Sequence, residues 1–184
     1  MKKGISVFIF FVLCLALFAG CGGKYKEFDN FGNIEDFSSI QGYKGWTYLF
    51  GDVAFQPTNM TFNEYKGAYN STLATVSGAE WMPHQNEDIV LRFDPPKKGT
   101  VTITYSLWLI GVQLSTDDGV QFSIYDAAVD SPLAECSLVG NGKESRSEGE
   151  LRCKISVGAP LYFVLNAGYG NENDLTHVDI AISY

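Results

Sequence analysis

The sequence predicts an all-β fold, because apolar and polar residues alternate over long stretches and helical periodicity is missing after residue 20. From Val101 to Leu109 the odd-numbered positions are apolar or aromatic, whereas the even-numbered ones are Thr, Ser and Trp108. From Val178 to Ile182 apolar residues again take every second position. Successive side chains of a strand point to opposite faces of a sheet, so this pattern indicates strands with one buried and one outer face.

Turn signals divide the chain into short strands. Asp94–Gly99 contains tandem prolines, Ser115–Gly119 ends in Asp-Asp-Gly, and Gly158-Ala159-Pro160 precedes the uniformly apolar run Leu161–Leu165. About nine strands result, at the spacing typical of a sandwich. The sequence therefore predicts an antiparallel two-sheet β-sandwich. A jelly roll fits better than an immunoglobulin-like domain, because Cys136 and Cys153 both follow every tryptophan.

The first residues have the features of a targeting segment. Lys2 and Lys3 precede an apolar run that ends in Ala19-Gly20-Cys21. This segment resembles a bacterial lipoprotein signal, whose cysteine is acylated and becomes the first residue of the mature protein. The apolar run is shorter than the roughly 20 residues that a membrane-spanning helix needs. The resemblance implies a palmitate-type lipid on Cys21 and attachment to the cell envelope, with Gly22 favouring the outer membrane.

Three regions follow from this reading. Residues 1–20 form the signal peptide, residues 21–42 comprise the lipidated cysteine and a tether, and residues 43–184 form the sandwich. The tether is rich in glycine, asparagine and charge, and its aromatic residues Phe28, Phe31 and Phe37 would order it wherever they pack.

The charge balance is acidic. The chain has 13 lysines and arginines against 21 acidic residues, a net charge of −8, and loss of the signal peptide would make it −10. Binding to nucleic acid relies on basic surfaces, so the sequence argues against that partner. Solubility is the simplest role for the acidic residues.

Two cysteines remain after Cys14 leaves with the signal and Cys21 takes lipid. Cys136 and Cys153 fall on the inward-facing positions of two strands, which we expect to form a hairpin. In an oxidising compartment this predicts a disulfide between them. A zinc site is excluded because no histidine stands at ligand spacing.

Four stretches in order resemble the jelly-roll carbohydrate-binding modules found in bacterial surface proteins and beside glycoside hydrolases. They are residues 92–101 (RFDPPKKGTV), 118–124 (DGVQFSI), 157–164 (VGAPLYFV) and 173–176 (NDLT). The resemblance covers about residues 46 to 184 and implies a carbohydrate ligand, sometimes with a structural calcium ion.

The candidate ligand-binding residues are aromatic, because sugars pack their C–H faces on flat rings. Trp108 is first, since it lies on the polar face of its strand, and Tyr125 points outward from the next strand and could share that face. Trp46, Trp81 and Tyr169 come next. The alternative for each is a place in the core, where most aromatic residues pack.

Oxygen-bearing side chains crowd the loop before the last strand. Asn171, Asn173 and Asp174, with Asp117 and Asp118 from another loop, could surround a calcium ion, which takes six to eight oxygen ligands. The alternative is an Asx-rich turn whose side chains bond their own backbone. No other cofactor is expected.

Catalytic patterns are absent from the sequence. His84 and His177 are far apart, and no nucleophile or phosphate-binding motif occurs. The adjacent acids Glu87 and Asp88 would point to opposite faces of a strand. We therefore expect a non-catalytic, carbohydrate-binding lipoprotein. The alternative is a structural or adhesion lipoprotein that packs against an envelope protein partner through its sheet face.

Overall fold

The computed structural model describes residues 29–110, 118–140, 145–170 and 174–184. In these ranges the chain forms fourteen strands, which are β1 Asn30–Gly32, β2 Trp46–Phe50, β3 Thr58–Asn59, β4 Thr61–Asn63, β5 Ala68–Asn70, β6 Thr75–Ser77, β7 Glu80–Met82, β8 Ile89–Phe93, β9 Gly99–Leu109, β10 Val120–Tyr125, β11 Ala134–Leu138, β12 Arg146–Ile155, β13 Leu161–Asn166 and β14 Thr176–Ser183. Single turns of 3₁₀ helix occur at Tyr43–Gly45 and Val53–Phe55.

The strands form two antiparallel sheets. The large sheet has eight strands in the order β12-β9-β14-β7-β6-β5-β4, with β1 pairing to the far end of β14. The small sheet has six, in the order β11-β10-β13-β8-β2-β3. From β8 onward the chain crosses between the sheets at every connection except that from β10 to β11. The predicted all-β, antiparallel two-sheet sandwich of the jelly-roll type is confirmed.

The core lies between the sheets and follows the alternation of the sequence. On β9, Val101, Ile103 and Leu107 are buried while Thr100 and Thr104 are exposed. The apolar run Leu161–Leu165 of β13 is covered on both faces. Its inward residues join the core, and on the outer face Val164 packs with Leu49 and Val90 in a small apolar cluster of its own. Burial on both faces explains why this strand has no polar position between residues 161 and 165.

Residues 30–42 belong to the sandwich, which corrects the predicted tether and the domain start at residue 43. β1 pairs with β14, and Phe31 is buried with its ring 5.0 Å from that of Phe93. Phe37 packs edge-on against Tyr48 and Tyr69. These rings fill core positions that the strands after residue 43 leave open, so the ordered domain begins before them.

Asn33 fills a gap in the hydrogen bonding of the large sheet. β14 is paired by β7 at one end and by β1 at the other, and neither strand reaches its middle. There the Asn33 amide donates to the carbonyl of Val178 at 2.9 Å, and its oxygen accepts from the N–H of Ile180 at 2.6 Å. The side chain is fully buried, and its amide makes the two hydrogen bonds that the backbone of a neighbouring strand would make at this point.

The predicted cysteine hairpin does not form, and the predicted disulfide is wrong in this structure. β11 pairs with β10 in the small sheet and β12 pairs with β9 in the large sheet, so the two strands face each other across one edge of the sandwich. Cys136 contacts Ser147, whereas Cys153 lies further along β12, about 20 Å away at the usual rise per residue. Both thiols are free and point inward as expected, and burial raises the pKa of each.

Within the described ranges, no helix is long and apolar enough to cross a bilayer. The signal segment and Cys21 lie outside these ranges.

Candidate ligand-binding site

Trp108 lies on the outer face of the large sheet, between two neighbours in register. Arg146 on β12 and His177 on β14 are its cross-strand partners. The imidazole of His177 stacks on the indole with a centroid distance of 3.6 Å and an angle of 11°. The guanidinium of Arg146 lies 5.2 Å from the indole centroid. The ring is partly exposed and is held in place by its two neighbours.

The next residues along the same face are hydroxyls and carboxylates. Ser106 lies between Glu148 and Asp179, and Thr104 lies between Glu150 and Ala181. Together they line an open depression of about 440 Å³. Trp108 lies on the same face of β9, at the next outward position after Ser106. We call this surface, with Trp108, His177 and Arg146, the Trp108 depression.

The carboxylates of the depression are available to a ligand. Glu148, Glu150 and Asp179 make no salt bridge within the part of the chain that the structure describes. A carboxylate offers only acceptor oxygens, so each can accept hydrogen bonds from hydroxyl or ammonium groups. The depression therefore presents acceptors on three strands, together with the stacked rings of Trp108 and His177.

The charge state of His177 sets the character of its stack with Trp108. Burial lowers the pKa of His177, while Asp179 and Glu80 act in the opposite direction. The net shift favours the neutral imidazole, so at neutral pH the stack consists of two uncharged rings.

Gly149 allows the two strands that carry the site to pair without interruption. It lies opposite Tyr105, whose ring fills the space where a Cβ at this position would be. Any side chain here would push Tyr105 away or separate β12 from β9. Glycine at this position therefore leaves room for Tyr105 on the core face of the two strands that carry the depression.

Tyr125 does not share a face with Trp108, which corrects that expectation. It lies on β10 in the small sheet, where it pairs with Tyr162 and packs against the apolar cluster of Leu49, Val90 and Val164. β9 and β10 follow each other in sequence but belong to different sheets. Two side chains that both point outward therefore lie on opposite sides of the molecule.

Trp46 and Trp81 belong to the core, so the prediction that they bind ligand is wrong for this structure. Their side chains are 1% and 0% exposed. Trp46 packs 4.8 Å from the ring of Phe93, and the indole N–H of Trp81 donates to the carbonyl of Gly78 at 3.2 Å. Both residues face the opposite sheet, which accounts for their burial.

Tyr169 is 96% exposed, in the loop that leads into β14. This loop enters β14 next to His177, at the same end of the sandwich as Trp108. Tyr169 therefore remains a candidate for a contact with a large ligand that extends past the depression.

The calcium prediction is only partly covered by the described residues. The Asp118 carboxylate accepts from the backbone N–H groups of Tyr169 and Gly170, so the two loops meet as expected. Asp174 is buried. Asp117, Asn171 and Asn173 lie outside the described residues. Among those described, no three His, Cys, Asp or Glu side chains are placed to share a metal ion, and the calcium site stays a prediction.

The two histidines have separate surroundings. His84 lies in the loop before β8, where its Nδ1 accepts from the N–H of Asn86 at 3.3 Å. The imidazole of His177 stacks on the indole of Trp108. The expectation of a non-catalytic protein stays a prediction.

Sequence reasoning missed most of the depression. The register of three strands alone brings the other residues to the same face as Trp108, and these are Arg146, Glu148, Glu150, His177 and Asp179. One signal was present, because charged residues take every second position from 146 to 154, which are Arg146, Glu148, Glu150, Arg152 and Lys154. Such a strand has a charged outer face, although its neighbour is not evident from the sequence.

Comparison with other proteins leaves the family open. No protein-family model and no curated protein matches the chain. Similar solved structures include a family 35 carbohydrate-binding module from Paenibacillus barcinonensis (9% identity, TM-score 0.36, covering 84% of this chain and 98% of that one). Another is a carbohydrate-binding module of Cellvibrio mixtus lichenase 5A in complex with cellotriose (13% identity, TM-score 0.33, covering 82% of this chain and 93% of that one). A third is the K3 cleaved adhesin domain of Lys-gingipain from Porphyromonas gingivalis (13% identity, TM-score 0.39, covering 76% of this chain and 92% of that one).

Proposed function

We propose that this protein is a lipid-anchored, non-catalytic glycan-binding protein of a bacterial cell envelope, and that the Trp108 depression holds the glycan. One observation carries the proposal: a partly exposed indole lies on the same sheet face as an open depression lined by hydroxyls and by carboxylates that make no salt bridge within the described residues. Sugars have apolar C–H faces that pack on aromatic rings and hydroxyls that donate to carboxylates. Because the TM-scores of the neighbours lie below 0.5, the proposal rests on these residues and on the resemblance in the sequence.

The binding mode follows from the neighbours of Trp108. His177 covers one face of the indole at 3.6 Å, whereas Arg146 covers the other from the exposed first position of β12. A sugar ring takes the place of the guanidinium on that face. Its hydroxyls then reach the carboxylates of the next pair of positions, which lie about 7 Å further along the strands.

The charge of the depression selects among glycans. Glu148, Glu150 and Asp179 have no basic partner in the described ranges, so they repel uronic acids and sulfated sugars. Neutral sugars and amino sugars are the ligands that this surface accepts.

Calorimetric titration of the full chain in detergent tests the proposal. The ligands are cellotriose, β-1,4-galactotriose, a chitosan trimer and, as the anionic control, trigalacturonate. We expect Trp108→Ala to weaken binding of the preferred glycan by about tenfold or more, because the indole supplies the central apolar contact. Arg146→Ala should bind as well as wild type or better, and Tyr125→Ala on the opposite face should have no effect. Unchanged affinity in Trp108→Ala, or preference for trigalacturonate, would contradict the proposal.

The lipid anchor is supported by residues 17–21 (LFAGC) alone. Metabolic labelling with palmitate should mark the wild-type chain and leave Cys21→Ala unlabelled and outside the membrane fraction. Cys136→Ala is the matched control and should keep its label, because that thiol is half-buried inside the sandwich. Labelling that persists in Cys21→Ala would remove the anchor from the proposal.

A structural or adhesion role is the second candidate. Its support is a set of large apolar side chains at exposed tips, with Phe55 82%, Tyr65 99% and Ile40 66% exposed. Co-purification of one envelope protein, together with failure to bind any glycan, would favour this role.

A further inference from the structure

A second cleft lies where the chain passes from the small sheet to the large one. β3 ends the small sheet, β4 begins the outer edge of the large sheet, and only Met60 separates them. The cleft between these edges has a volume of about 560 Å³, within the range of small-molecule sites. Its lining contains two phenylalanines, three asparagines and four hydroxyl side chains, with no charged residue.

The walls of the cleft are held in place from behind. Met60 is buried, its N–H donates to the carbonyl of Tyr48 at 3.0 Å, and the Gln41 amide donates to its carbonyl at 3.0 Å. On the other wall, Glu87 accepts from the hydroxyl of Ser71 and from the N–H of Leu73 at 3.1 Å. The cleft is therefore formed before any ligand arrives, which lowers the entropy lost on binding.

Polar groups at the mouth of the cleft are free to bind a ligand. The side chains of Asn59 and Thr61 are exposed and make no hydrogen bond within the described part of the chain. An amide and a hydroxyl each donate and accept, as do the hydroxyls of a sugar. Phe62 is partly exposed, and its ring is fixed by an edge contact to Tyr69 at 5.1 Å.

We infer that this cleft is a second binding site, separate from the Trp108 depression, for a neutral polyhydroxylated ligand such as an uncharged oligosaccharide. Phe50 and Phe62 supply the apolar contact, and Asn59 and Thr61 bind the hydroxyls. A charged ligand is excluded because the lining offers no counter-charge to offset its loss of water. The Trp108 depression differs in having three carboxylates, so it also accepts cationic amino sugars, which the cleft excludes.

Amide chemical-shift mapping on the isotope-labelled full chain in detergent tests the inference. The probes are neutral tri- and tetrasaccharides of glucan, galactan and mannan type, with trigalacturonate as the charged control. We expect a neutral probe to shift residues 58–63 and 70–72, and trigalacturonate to leave them unmoved. The same shifts should persist in Trp108→Ala, since the two sites are separate.

The decisive variant is Asn59→Ala with Thr61→Ala, which removes both hydroxyl-binding groups and leaves the core intact. It should bind the probe at the cleft about tenfold more weakly or worse. The matched control, Asn86→Ala with Thr100→Ala, changes the same residue types at exposed positions elsewhere and should bind like wild type. Unchanged binding in the cleft variant overturns the inference, as do neutral probes that shift only the Trp108 depression, a result that would still support the proposed function.

Discussion

Asn33 shows how one side chain can complete a sheet. It bonds both a carbonyl and an N–H in the middle of β14, where neither flanking strand reaches. Nothing in the sequence marks it, because it stands in a segment rich in glycine and asparagine that is typical of a linker. Its role depends on where two short strands stop, which is a property of the folded molecule.

Replacing Asn33 with alanine should destabilise the protein strongly. The change leaves the carbonyl of Val178 and the N–H of Ile180 buried without these partners, at a cost of about 2–4 kcal/mol in the free energy of unfolding. Urea denaturation followed by circular dichroism measures this cost. Asn30→Ala, at an exposed position of β1, is the control and should change stability by less than about 0.5 kcal/mol. Equal stability of both variants would show that the Asn33 bonds contribute nothing.

The stack of His177 on Trp108 should make stability depend on pH. Because burial lowers the pKa of His177 in the folded state, the unfolded chain binds the proton more readily. The stabilising contribution is therefore complete above the unfolded value of about 6.5 and is lost as the pH falls through the folded pKa. Melting temperatures of wild type and His177→Gln, compared from about pH 7.5 down to about pH 5, should converge on acidification. A difference that widens as the pH falls would contradict this assignment.

Strand parity predicted the direction of individual side chains well, but not their neighbours. The outward position of Trp108 and the inward positions of both cysteines followed from alternation alone. Their partners depend on which strands pair and in what register, and that is set by long-range packing. Trp46 and Trp81 lie on short strands, where alternation does not show which face is buried. The sequence therefore could not assign them to the core.

At the scale of elements, the sandwich is longer at its N-terminal side than the sequence suggests. β1 and the aromatic residues that follow it complete the core beneath β8 and β2. The composition of this segment is typical of a tether, and three scattered phenylalanines were the only sign of packing. β11 and β12, which carry Cys136 and Cys153, also differ from the prediction. They follow each other in sequence but belong to different sheets, so they do not form a hairpin.

A chain that starts at residue 43 should therefore fail to fold stably. It lacks Phe31, Asn33 and Phe37, and loss of one buried aromatic ring alone costs about 3–5 kcal/mol. Thermal melts of chains starting at residues 22 and 43 provide the comparison. Phe31→Ala in the longer chain should lower its melting temperature, whereas Tyr65→Ala, at a fully exposed position, should not. Identical melts for the two chains would restore the boundary expected from composition.

At the scale of the whole molecule, the two sheets present different outer surfaces. The large sheet carries the Trp108 depression with its carboxylates, and the small sheet covers its middle with an apolar cluster beneath Tyr125 and Tyr162. The uncharged cleft lies at the opposite edge from β11 and β12. This separation means that each surface can be altered without disturbing the others.

The most direct test of glycan binding at the large sheet is to map a bound ligand on the folded protein. Amide chemical shifts of the labelled chain should be recorded during titration with the glycan that binds best by calorimetry. We expect the largest changes at residues 104–108 of β9, 146–150 of β12 and 177–179 of β14, and their loss in Trp108→Ala. Changes confined to the face of Tyr125 and Tyr162, with none on these three strands, would contradict the account.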